Sequence, residues 1–179
     1  MKESIKKAEV LIEALPYIQR FHGATVVIKY GGSAMTDPAL RDGFARDIVL
    51  MKYVGLSPIV VHGGGPQIDQ ALSALNVESQ RVDGVRVTDD STMEVVEMVL
   101  GGTINQQIVS LICGHGGRAV GLTGKDDGFL VARKLPTVRT VKGTEVDPGR
   151  VGEIQQVKPD IIRHLVESGF IPVIAPVAV

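Results

Sequence analysis

Short apolar, β-branched runs alternate along the chain with amphipathic stretches of helical period. Thr25-Val26-Val27-Ile28 and the 58–62 run, Pro58-Ile59-Val60-Val61-His62, read as buried strands, and Ala119-Val120-Gly121-Leu122 and the apolar 170–179 segment as two more. Between them, helical spacing appears in five places. Ile5, Ala8, Leu11, Ile12 and Leu15 mark a helix over 2–15 that Pro16 ends or kinks. Leu40, Phe44, Ile48, Val49 and Met51 mark one over 37–53, and Ile68, Ala71, Leu72 and Leu75 one opened by Pro66. Thr88-Asp89-Asp90-Ser91 caps a long helical region over 91–114 with a break at Gly101-Gly102, and a helix over 159–168 is closed by Gly169. A strand–helix–strand order with nearly continuous apolar strands predicts parallel βαβ units, hence an α/β fold.

The candidate chemistry sits at the carboxyl ends of the strands. The second strand runs through His62 into Gly63, Gly64 and Gly65 and then a helix start. Three glycines let the backbone approach a ligand, and their N–H groups with the helix N-terminus favour an anion. A tight turn in which Gly supplies only φ > 0 is the plainer alternative, and one or two glycines would suffice for it. The first strand ends in Lys29-Tyr30-Gly31-Gly32-Ser33. A lysine in a buried strand needs a negative partner, so Lys29 is expected to point at the same crevice as the 63–65 loop, where ligands collect in open parallel sheets. Asp83-Gly84 between β-prone runs predicts a hairpin turn. Alternation puts Arg86 on the opposite face from Val85 and Val87, where a guanidinium can grip a carboxylate; from these residues alone a solvated arginine is the better reading. The apolar residues of 91–114 are too many for one stripe, so this helix is either deeply buried or at a subunit interface; the interface is the preferred reading, with Val99 a candidate for it or else a core position. The 2–15 helix reads equally as part of its own domain or as an arm docking on another subunit.

Two motifs are excluded. Thr123-Gly124-Lys125-Asp126 lacks the P-loop's glycine five residues earlier, where Ala119 stands, and its Ser/Thr after the lysine; Ile68 breaks any G-x-G-x-x-G after Gly63. Residues 129–156 read as an exposed β excursion, with β-prone pieces at 129–132 and 137–138.

Length and charge narrow the class. With 179 residues, 44% of them apolar, the chain suits one domain with a sizeable core. A net charge of −1 and 4% aromatics give no footprint for nucleic acid. The lone Cys113 has no intrachain disulfide partner and is expected in the core, consistent with a reducing cytoplasm. Glu3, Glu9 and Glu13 interrupt any signal-type segment, and no run predicts a membrane span. The chain stops within what reads as a core strand and its exit, so a truncated chain is expected.

Taken together, Val-Ile-Lys29-Tyr-Gly31-Gly32-Ser, Val-His62-Gly63-Gly64-Gly65-Pro-Gln-Ile, Asp-Gly84-Val-Arg86-Val-Thr-Asp89 and Gly101-Gly102-Thr-Ile-Asn105 resemble the acetylglutamate kinase family, within the amino-acid kinase superfamily. The resemblance runs from about residue 24 to 179 and implies a three-layer sandwich: an open, mostly parallel sheet with helices on both faces, plus a β-hairpin over the substrate site. It implies transfer of the γ-phosphoryl of ATP, with Mg2+, to the side-chain carboxylate of N-acetyl-L-glutamate. Lys29 would stabilise charge on the phosphoryl group, Gly64 and Gly65 would hold the acceptor carboxylate, Arg86 the α-carboxylate, and Gly31, Gly32 and Gly63 would line the phosphoryl path, with no metal-ligating residue among them. Residues 1–22 would be a helical arm and 23–179 the acetylglutamate-binding, dimer-forming lobe. The family's Asn–Ala–Asp segment, second lysine and nucleotide lobe have no match here, so this chain alone is expected to be inactive. Homodimers, hexamers built through the arm and inhibition by L-arginine are further implications for the whole protein. Aspartokinase or another amino-acid kinase, and a non-catalytic amino-acid-sensing or oligomerisation module, are the competing readings.

Overall fold

The structure, a computed structural model, describes residues 2–139, 143 and 145–179. Met1 of the expected arm and residues 140–142 and 144 of the expected β excursion lie outside the described residues.

Helix α1 (Lys2–Phe21) precedes strand β1 (Thr25–Tyr30); a 3-10 turn (Gly32–Met35) leads to α2 (Pro38–Tyr53), β2 (Ser57–His62) and α3 (Gly65–Ala74). A hairpin of β3 (Arg81–Val82) and β4 (Val85–Arg86) is followed by α4 (Asp90–Glu97), a π-helical turn (Met98–Ile104) and α5 (Asn105–Gly114). After β5 (Ala119–Thr123) come the excursion strands β6 (Leu130–Lys134), β7 (Val138–Arg139), β8 (Glu145–Val146) and β9 (Gly152–Val157), then α6 (Asp160–Glu167) and β10 (Ile171–Ala175).

The central sheet is parallel throughout, in the order β1-β2-β10-β5. Alternation along its strands divides the core into two layers. Val60 and Val173 face α2, α3, α4 and α5, whose Ile48, Ile68, Val95 and Ile112 pack there. Ile59 and Ile174 face the other way, onto Ile162 of α6 and Phe129. Helices therefore cover both faces, as expected for strands without a polar side.

Local chemistry sets the boundaries. The Asp37 carboxylate caps α2 by accepting from the Ala39 and Leu40 N–H groups at 2.8 and 3.0 Å, ahead of Pro38. Asp83 and Gly84 both take positive φ, 48° and 84°, the two-residue turn that matches the twist of a hairpin. Gly169 (φ 82°) terminates α6.

Three expectations need correction. Of the two outcomes expected at Pro16, an end or a kink, the end does not occur: helix α1 runs past 15 to Phe21 with the proline inside it, and none of its residues is buried. Proline removes one hydrogen bond, and on an exposed helix water satisfies the freed carbonyl. Cys113 is exposed rather than in the core. In the 90–114 region Val95, Val99, Leu100, Ile104, Ile108 and Ile112 are buried in the chain's own core, so Val99, only 8% exposed, is a core position and not an interface one, while Met98 beside it stays 57% exposed. The wider π turn shifts the phase of the residues after it, so apolar positions that would straddle two faces of a regular helix land against the sheet. By length and apolar content this region could also cross a bilayer; in this structure its buried residues pack against the sheet.

Candidate functional site

The two glycine loops lie side by side because their strands are neighbours in register. Lys29 pairs with Val61 and Tyr30 with His62, and the Gly63 N–H donates to the Tyr30 carbonyl at 2.9 Å, so β1 and β2 deliver Gly31-Gly32 and Gly63-Gly64-Gly65 to one edge of the sheet. Gly32 requires glycine for conformation, with φ 66°. The 63–65 loop does not: none of its three glycines has positive φ in the left-handed region, and Gly64 (φ 174°) is extended. What Gly64 requires is space. A Cβ there would strike the Ile104 side chain and come within 2.8 Å of Leu100, both buried on the π turn, whereas a Cβ on Gly63 would meet nothing within 4 Å. Gly64→Ala is therefore expected to cost about 1–3 kcal/mol by overpacking, and Gly63→Ala less than about 0.5 kcal/mol. Urea unfolding of both variants checks this; equal losses would remove Ile104 and Leu100 as the reason for the glycine.

Gly64 caps α3 without a side chain, so the first N–H groups of this ten-residue helix, which starts at the strand-end loop, have no side-chain cap. Gly64 itself is buried, and its N–H has no acceptor among the described residues.

The hairpin is anchored to the same helix. Arg86 donates from Nη2 to the Asp69 carboxylate of α3 at 2.5 Å and from Nη1 to Ser79 Oγ at 3.0 Å, with only 11% of its side chain exposed. Arg81, its cross-strand partner, donates to the other Asp69 oxygen at 2.9 Å. Partial burial pushes the Asp69 carboxyl up, but the hydrogen bonds and charges of Arg86 and then Arg81 outweigh it and hold the group below the usual carboxylate range. Arg86 is thus not the solvated arginine that its residues alone suggest. The carboxylate it grips in this structure belongs to the chain itself.

The Lys29 side chain is exposed on the α6 face of the edge strand β1, and it has no ion-pair or hydrogen-bond partner among the described residues. The lysine of the excluded P-loop-like run, Lys125, is by contrast paired with Glu97. Among the described residues no group of three or more His, Cys, Asp or Glu side chains could hold a metal ion.

Behind the glycine loop lies a buried polar cluster for which the residue pattern signals no role. His62 is 1% exposed and Asn105, the first residue of α5, likewise 1%. The His62 Nδ1 is 3.1 Å from the Gly63 carbonyl oxygen, which can only accept, so Nδ1 carries the proton and Nε2 accepts from Asn105 Nδ2 at 3.2 Å. Asn105 Nδ2 also donates to the Val173 carbonyl of β10 at 2.9 Å. Burial pushes the His62 imidazole down, with the Gly63 bond opposing, which keeps the ring neutral at pH 7. Asp69 and Arg81 escape sequence reasoning in the same way: a polar residue on an amphipathic helix and an arginine in a hairpin carry no local signal that they meet.

The sequence pattern of the amino acid kinase family matches residues 24–179. The chain belongs to that family. Acetylglutamate kinase from Acinetobacter baumannii is 60% identical over 178 residues, covering 98% of this chain and 59% of that protein. Acetylglutamate kinase from Saccharophagus degradans is 59% identical over 181 residues, covering 99% of this chain and 60% of that one. The chain thus spans about three fifths of the length of these curated relatives, at 59% and 60%. N-acetylglutamate synthase from Neisseria gonorrhoeae, solved with coenzyme A and N-acetyl-glutamate, superposes with a TM-score of 0.73 at 24% identity, over 94% of this chain and 37% of that one. That likeness concerns fold, and the parallel sheet with helices on both faces is the architecture of amino acid kinase family members.

Proposed function

We propose that this chain forms the acceptor-binding part of an acetylglutamate kinase, in which ATP phosphorylates the side-chain carboxylate of N-acetyl-L-glutamate. The observation that carries the reading is the identity of 60% to acetylglutamate kinases over 98% of the chain. The site chemistry supports it. A carboxylate oxygen of the acceptor attacks the γ-phosphorus, the bond from phosphorus to the bridging oxygen of ADP breaks, and no proton needs to move because the acceptor is already ionised. Such a reaction asks the protein for positioning and for charge stabilisation. Gly64 and Gly65 N–H groups at the start of α3 hold the attacking carboxylate, Arg86 holds the α-carboxylate, and Gly31, Gly32 and Gly63 leave room for the phosphoryl group. Lys29, a cation without an internal partner among the described residues, faces the charge that builds up on the phosphoryl oxygens. A magnesium ion, with no protein-built cluster among the described residues, would arrive on the phosphates of the nucleotide.

Residues 23–179 would form this acceptor lobe and residues 1–22 an arm. The arm reading is supported by α1, whose Val10, Leu11, Ile12 and Tyr17 are 63–69% exposed and packed against no core. Assembly into dimers and hexamers, inhibition by L-arginine and a cytoplasmic location belong to the same proposal. The test is ADP release by the whole protein with Mg-ATP and, in turn, acetylglutamate, glutamate and aspartate. Turnover with acetylglutamate alone is expected; preference for aspartate would make it an aspartokinase, and no turnover with any acceptor would favour a sensing module.

A further inference from the structure

Beyond the strand-end glycines themselves, the acceptor site has a mechanical support buried underneath it. A peptide group is planar and trans, so the Gly63 carbonyl and the Gly64 N–H point in opposite directions. The carbonyl is turned inward onto His62 Nδ1 at 3.1 Å, and the N–H is consequently turned outward, where it has no acceptor among the described residues. His62 cannot swing away, because Asn105 holds its Nε2 at 3.2 Å. Asn105 in turn cannot flip its amide: Nδ2 sits 2.9 Å from the Val173 carbonyl, and a flip would set oxygen against oxygen. Its Oδ1 is buried, without a hydrogen-bond partner, and is pressed against Gly121, where any Cβ would strike it. A buried orphan oxygen carries a cost in stability, and the arrangement that bears this cost is the one that presents Nδ2 to His62. The π turn completes the support, since it ends at Asn105 and puts Leu100 and Ile104 against Gly64.

We propose that His62, held by Asn105, is a positioning residue that locks the Gly63–Gly64 peptide with the Gly64 N–H aimed at the acceptor carboxylate. This inference rests on the acetylglutamate kinase reading. The neutral ring with the proton on Nδ1 is the required tautomer; the Nε2-protonated tautomer could not donate to the Gly63 carbonyl and would leave the peptide free to rotate.

Two substitutions separate positioning from structure. In His62→Asn the side-chain amide nitrogen replaces Nδ1 and keeps the bond to the Gly63 carbonyl but loses Asn105; in His62→Gln the amide reaches the Nε2 position and keeps Asn105 but loses Gly63. Both remove the same ring from the same buried place. In the whole protein, His62→Gln is expected to raise the KM for acetylglutamate about tenfold, the worth of one well-formed hydrogen bond, with the KM for ATP unmoved, whereas His62→Asn holds the acetylglutamate KM within about threefold. Equal KM values in the two variants, whatever their effect on kcat or melting temperature, would overturn the proposal. A measurement on the wild-type chain covers the case in which neither variant folds: ring 15N shifts should show His62 protonated on Nδ1, and protonation on Nε2 overturns the proposal outright. If the wild-type protein turned over no acetylglutamate, the functional reading would fail while the tautomer measurement still decided the geometry.

Discussion

Lys29→Ala is expected to lower the kcat of the whole protein by about 10²–10³-fold while leaving the KM for acetylglutamate within about threefold. The charge that Lys29 is proposed to meet develops on the phosphoryl oxygens as the bond to ADP breaks, so its contribution appears in the transition state and not in the bound substrate. The side chain makes the experiment unusually clean. It is exposed and has no partner among the described residues, so its removal strips no ion pair and strands no buried charge. Unfolding free energy should move by less than about 0.5 kcal/mol, as for other surface substitutions. Steady-state kinetics with both substrates decides the matter: a change confined to KM would reassign Lys29 to substrate binding, and unchanged kinetics would remove it from the site.

Arg86→Ala should weaken acetylglutamate binding by about 2–5 kcal/mol, the usual cost of deleting a charged, hydrogen-bonded contact from a shielded place. Two of the guanidinium nitrogens are committed to Ser79 and Asp69, and that commitment would hold the group still for the ligand carboxylate it is proposed to bind. The matched control is Arg81→Ala. Arg81 reaches the same Asp69 but is 47% exposed, and Asp69 keeps Arg86 when it is gone. A loss of less than about 1 kcal/mol is expected there, the range of an exposed pair. Titration calorimetry on the two variants distinguishes the roles. Similar affinities for both would mean that the hairpin as a whole, not Arg86, senses the acceptor.

The features legible in the chain are those that depend on neighbours in sequence. The strands at 25 and 57 are legible because their β-branched runs have no polar phase, the hairpin because Asp-Gly suits two consecutive positive φ angles, and the start of α2 because Asp37 precedes Pro38. The two glycine loops come together as expected, since parallel strands joined by a helix put their carboxyl ends on one edge. Failures come where a distant residue decides. Pro16 reads like an end or a kink because its exposure is not visible in the sequence, and the environment of Lys29 is hidden because an edge strand looks like a central one. Val99 reads as an interface position because nothing local says which apolar residues of 91–114 the core takes: Val99 is buried while its neighbour Met98 is exposed. Arg86 finds Asp69, and His62 finds Asn105 and through it Val173; no window on the sequence contains such pairs.

The order of the sheet has a consequence for how the protein comes into being. Strand β10 lies between β2 and β5 and pairs with both, so Val173 takes its place between Val60 and Gly121 only after β1, β2 and β5 have been synthesised. Until β10 leaves the ribosome, the nascent chain carries β2 and β5 with their inner edges open and Asn105 without its carbonyl. Parallel pairing across so long a stretch of chain is slow and leaves unpaired edges exposed to other molecules. Assembly is therefore a closing event instead of a gradual accumulation, with β2 and β5 joined only when β10 arrives between them.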